Sequence, residues 1–107
     1  MNETDLIREI AATYHKYGWT LRRVLLKKDL LEKLGNTFDA GAPLAVSDVN
    51  ALLFSRASGK NSEAWELRHI SQAPFALFEI IGADTSEDER NLRLSQMEKR
   101  LKKRAEK

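Results

Sequence analysis

From Asp48 to Gly82 the chain alternates apolar and polar residues at the two-residue period of a β-strand, interrupted twice by turn formers. The runs are DVNALLFSRAS, EAWELRHI and FALFEIIG, separated by SGKN and SQAP. This pattern constrains the fold more than any other, because a strand's period ties register to face. With residues 58–61 as the first loop, Phe54 faces Trp65, Leu52 faces Leu67 and Arg56 faces Glu63. Those are the aromatic, aliphatic and ionic pairs that stabilise neighbouring strands. A second hairpin across SQAP sets Trp65 against Ile80, Leu67 against Phe78 and His69 against Ala76. The expected core face is therefore Leu52, Phe54, Trp65, Leu67, Phe78 and Ile80. The opposite face is expected to hold Ala51, Leu53, Ala64, Glu66, Arg68, Ile70, Phe75, Leu77 and Glu79.

Helical periodicity flanks this meander. Leu6, Ile7, Ile10, Tyr14 and Tyr17 form one stripe of a helix, with Asn2 or Thr4 as its cap and Gly18 just beyond its end. WTLRRVLL (19–26) favours a strand through Trp, Thr and Val, alternating Trp19, Leu21, Arg23 and Leu25 with Thr20, Arg22, Val24 and Leu26. A continued helix is the alternative, since Arg, Leu and Lys are good helix formers. Lys28 to Leu34 reads as a short helix ended by Gly35, followed by a loop over 36–43. Ser86 with Glu89 three residues later is a capping box for a last helix whose buried stripe is Leu94, Met97, Leu101 and Ala105. The predicted fold is one α+β domain over residues 1–107. It has a three- to four-stranded antiparallel sheet (meander 49–81, possible extra strand 19–26) with the N- and C-terminal helices packed on one face.

Composition narrows the classes of function. Of 107 residues, 42% are hydrophobic and 32% charged, the balance of an ordinary globular protein rather than a disordered one. No apolar run is long enough for a membrane span, and the acidic start MNETDLIREI is unlike a secretory leader, so a cytoplasmic setting is expected. The absence of cysteine removes disulfides, thiol nucleophiles and thiolate metal sites. There is no G-x-S-x-G elbow, Walker lysine loop or G-x-G-x-x-G turn, and no cofactor is expected. His15 and His69 are the two histidines, and spacing identifies no third ligand for a metal.

The preferred reading is a small non-catalytic interaction module that self-associates, as a homodimer, through a sheet face or an edge strand. Its nominated surface is Leu53, Glu66, Arg68, Leu77 and Glu79, an apolar patch rimmed by charge. The alternative is nucleic-acid binding through two basic clusters, Arg22, Arg23, Lys27 and Lys28 in one, and Lys99, Arg100 and Lys103 within the 99–107 tail in the other. Helix, meander, helix is similar in order to double-stranded-RNA-binding domains. However, Ser86-Glu87-Asp88-Glu89 stands where those domains place phosphate-gripping lysines, and it would repel phosphate. A remoter alternative is a metal-dependent nuclease using Asp48 with Glu66 and Arg68, against which stands arginine's reluctance to serve as a base.

Overall fold

The computed structural model describes residues 3–34, 41–71 and 75–105. Among them the elements run α1 (Glu3–Lys16), β1 (Thr20–Leu26), α2 (Lys28–Leu34), β2 (Leu44–Val46), β3 (Ala51–Ala57), β4 (Ser62–His69), β5 (Ala76–Gly82) and α3 (Glu87–Ala105). The five strands form one open sheet in the order β2-β1-β3-β4-β5. The meander β3-β4-β5 is antiparallel, β1 joins it antiparallel to β3, and β2 runs parallel to β1 beyond a crossover through α2. The sheet is thus mixed and five-stranded rather than antiparallel and three- to four-stranded. The strand reading of residues 19–26 holds, as does α2 over Lys28–Leu34. Asn2, Gly35 and most of the two loops expected at 36–43 and 71–74 lie outside the described residues, and Thr4 sits inside α1 rather than capping it.

Helices cover both faces of the sheet, not one. Ile7 and Ile10 of α1 and Leu30 and Leu34 of α2 pack with Val24, Leu26, Leu52, Phe54 and Ile70. On the opposite face Met97 and Leu101 of α3 pack with Leu25, Ala51, Leu53, Trp65, Leu67 and Ile81. The stripes expected on the first and last helices are those that bury, except that Tyr17 lies past the end of α1 and is exposed. Gly18 turns the chain there with φ +88°, a backbone region open to glycine at little cost. At the start of α3 the Ser86 hydroxyl accepts from the Glu89 N–H at 3.1 Å, as the capping box requires.

The register of the meander is shifted by one residue from the expected one, and the reason is loop parity. Ser58 N–H donates to Ser62 C=O at 2.9 Å, and the Ser62 hydroxyl bonds Ser58 C=O. The loop is therefore three residues, 59–61, with Gly59 at φ +70°, rather than four. Phe54 consequently lies opposite Glu66, Ser55 opposite Trp65, Leu53 opposite Leu67 and Arg56 opposite Ala64. The second hairpin repeats the shift. His69 N–H donates to Phe75 C=O at 2.8 Å, setting these two residues opposite each other, while Ile70 N–H stays with Asn50 C=O on β3. Leu67 then pairs with Leu77, Trp65 with Glu79 and Glu66 with Phe78. A slip of one residue turns every side chain over. Phe54 and Trp65 therefore stand on opposite faces: of the six residues expected on one core face, Leu52 and Phe54 pack with α1, Trp65 and Leu67 pack beneath α3, and Phe78 and Ile80 are exposed.

A bulge in β1 completes the division. The pairing steps from Leu21↔Phe54 to Arg23↔Leu53, leaving Arg22 as the extra residue. Leu21 thereby joins Val24 and Leu26 on the α1 face, and strict alternation through the strand is lost. The Arg22 guanidinium lies over the Trp65 ring, 5.2 Å from its centroid, and Arg23 pairs with Glu98 of α3 at 3.0 Å.

Candidate interaction surface

The half of the α1-side face formed by β4 and β5 is left partly uncovered. The residues of β5 alternate cleanly: Ala76, Phe78 and Ile80 are exposed, while Leu77 and Ile81 pack beneath α3. Phe78 keeps 56% and Ile80 49% of its surface open to solvent. These rings and branches stand on an edge strand, next to Glu66 and Arg68 of β4. At the boundary with the covered half, Tyr14 of α1 stacks on Phe54 with centroids 4.0 Å apart. Its hydroxyl donates to Glu66 Oε2 and stands beside the Arg68 guanidinium. Burial first, then the Glu66 carboxylate, pushes the Tyr14 phenol up to about 12.

The free edge of β5 is guarded at one point. The bonds from His69 to Phe75 and from Ala83 to Asn61 assign the odd-numbered residues' backbone groups to β4. By the alternation of an antiparallel ladder, Ala76, Phe78 and Ile80 turn theirs outward. Arg93 of α3 reaches over that edge and donates to Ile80 C=O at 3.2 Å while also binding Glu79 at 2.6 Å. A charged side chain laid on an outward carbonyl is one way a sheet discourages strand addition.

The five residues nominated from the sequence do not share a face. Leu53 (5% exposed) and Leu77 lie in the core under α3, and Glu79 is held there by Arg93 and Arg100. Glu66 and Arg68 remain on the uncovered face. Phe78, not a charged residue, lies opposite Glu66 on β5. Phe78 and Ile80 lie on the face of Leu52 and Phe54 in the expected register and in the observed one, because the two one-residue shifts cancel between β3 and β5. They are exposed because α1 and α2 pack on β1 and β3 and leave β5 uncovered, which no residue pattern within the strands signals.

The basic residues are dispersed. Arg22 stacks on Trp65, Arg23 pairs with Glu98, and Arg100 lies 3.6 Å from Glu79. Lys28 opens α2 on the opposite side of the sheet from α3, which carries Lys99 and Lys103. The clusters meet at one place, where Lys27 after β1 and Lys102 of α3 line a cavity at the end of the sheet. Asp48 lines that cavity too, whereas Glu66 is engaged by Tyr14, so the two carboxylates of the nuclease reading serve separate environments. Among the described residues no three His, Asp or Glu side chains gather where they could share a metal ion, and no helix is long and apolar enough to cross a membrane. Comparison of the chain with protein-family models, curated proteins and solved structures finds no match.

Proposed function

We propose that the chain is a small non-catalytic interaction module that forms a homodimer through the uncovered face of β4 and β5. The observation that carries this reading is the paired exposure of Phe78 and Ile80 on a sheet face whose other half is covered. A second copy suits the patch because the patch contains its own complement. Across a two-fold axis the same surface meets itself, so Phe78 of one copy packs on Ile80 of the other, and Glu66 comes near Arg68. Face packing is favoured over strand addition by the Arg93 guard on Ile80 C=O.

Two large apolar side chains per copy make a small patch, below the size of a stable permanent interface, so the dimer is weak and concentration-dependent. Light scattering at high micromolar concentration should report twice the 12.2 kDa chain mass, falling to one chain on dilution. Strictly monomeric behaviour at that concentration refutes self-association.

Nucleic-acid contact is the second reading, and the observation in its favour is the meeting of Lys27 with Lys102. Against it, Arg23 and Arg100 are neutralised by carboxylates of the same chain. Salt-sensitive retention of duplex RNA or DNA, weakened by Lys27→Glu with Lys102→Glu, would support it; no retention at low salt would end it.

A further inference from the structure

The cavity at the end of the sheet encloses about 580 Å³, within the usual range of small-molecule sites. Helices from both faces reach it: Glu3 and Leu6 at the start of α1, and Lys102 and Ala105 at the end of α3. Between them lie Lys27 at the end of β1, Asp48 and Asn50 before β3, and His69 and Ser71 at the end of β4. Asn50 is buried and fully occupied as a strut. Its Oδ1 accepts from the Lys27 N–H at 2.8 Å, and its Nδ2 donates to Glu3 Oε2 at 3.3 Å. The strut fixes where the Lys27 side chain leaves the sheet and holds Glu3 to the wall.

We propose that this cavity binds a small oxyanion, a carboxylate or phosphoryl group, against Lys27, His69 and Ser71. His69 Nδ1 lies 3.1 Å from the Ser71 hydroxyl, and the Phe75 ring packs against the imidazole with centroids 4.7 Å apart. Phe75 is in turn covered by the Arg104 guanidinium at 4.3 Å. The imidazole is therefore held in place, with its two nitrogens at different stations. Formal charges around the wall balance, Glu3 and Asp48 against Lys27 and Lys102, but they do not act equally on His69. Burial first, then the Lys27 ammonium, holds the imidazole below its ordinary value. Lys27 and the protonated form of His69, both lining the cavity, thus disfavour one another. An oxyanion placed between them relieves that repulsion, and His69 takes up a proton as the anion binds.

The test is a proton NMR titration of the two histidines in sodium chloride, sodium sulfate and sodium acetate at matched ionic strength. His15, exposed on α1, is the internal control. Sulfate stands in for a phosphoryl group without titrating in this range, and acetate stands in for a carboxylate. A response to sulfate, acetate or both supports the site and says which head group it prefers. If the protonated imidazole binds the anion about tenfold more tightly, the His69 midpoint rises by up to about one pH unit while His15 stays put. Lys27→Met should raise the His69 midpoint in chloride and abolish the anion response, and Lys27→Arg should restore the response. Equal movement of His15 and His69, or an anion response that survives Lys27→Met, overturns the proposal.

Discussion

Tyr14 is the residue at which the covered and open halves of the sheet meet. Its ring is gripped between Phe54, stacked at 4.0 Å, and Trp19, edge-on at 5.9 Å, while its hydroxyl is committed to Glu66. Ionising the phenol would set an anion against a carboxylate, so the folded state holds the proton more tightly than the unfolded chain does. With the value raised from 10.0 to about 12, the stability Tyr14 contributes is fully present below pH 10 and is lost as pH climbs toward 12. In a Tyr17→Phe variant, where Tyr14 is the remaining tyrosine, tyrosinate absorbance should rise with a midpoint near 12; one near 10 would show that neither the burial of the phenol nor its Glu66 contact holds in solution. Trp65 plays the corresponding part under α3. Buried and carrying the Arg22 guanidinium on its ring, it should cost about 3–5 kcal/mol when replaced by alanine, read from the chemical denaturation midpoint.

At the scale of elements, the two adjacent residues Leu77 and Phe78 test which face of β5 is covered. Leu77→Glu places a charge beneath α3 beside Glu79 and should destabilise the fold by more than about 2 kcal/mol. Phe78→Glu, one residue along, should leave the melting temperature nearly unchanged. The reverse outcome would put the helical cover on the Phe78 face of β5, as expected from the sequence. Ser86→Ala, which removes the hydroxyl bonded to the Glu89 N–H, should lower stability by about 1 kcal/mol in the same thermal assay. Much of this level was legible in the sequence. The stripe of α3, its capping box, the Gly18 turn, α2 and the strand character of 19–26 each rest on residues close together in the chain. Faces were not legible, because they depend on whether a loop holds three residues or four. In SGKN that choice is made by the Ser62 hydroxyl bonding Ser58 C=O, which no alternation pattern reveals. The β1 bulge is similar, since Arg22 leaves the ladder to lie over the Trp65 ring. The cavity was the least legible feature, as Glu3, Lys27, Asn50, His69 and Lys102 come from five separate segments.

For the whole molecule, the arrangement of cover explains where a partner would sit. α1 and α2 are too few to cover five strands, and they lie over β1 and β3, where Ile7, Ile10, Leu30 and Leu34 find Val24, Leu52 and Phe54. The other face receives the longer α3, whose Arg93 and Arg100 reach Glu79 on one side and whose Glu98 reaches Arg23 on the other. What remains is the outer face of β4 and β5, with Phe78 and Ile80 in water and Glu66 and Arg68 beside them. The decisive measurement is the mass by light scattering, across a concentration series, of the native chain and of Phe78→Glu. The native chain should move from one to two copies as concentration rises, while a folded Phe78→Glu stays at one. A native chain that stays single throughout, or a variant that pairs as well as the native one, would contradict pairing through this face.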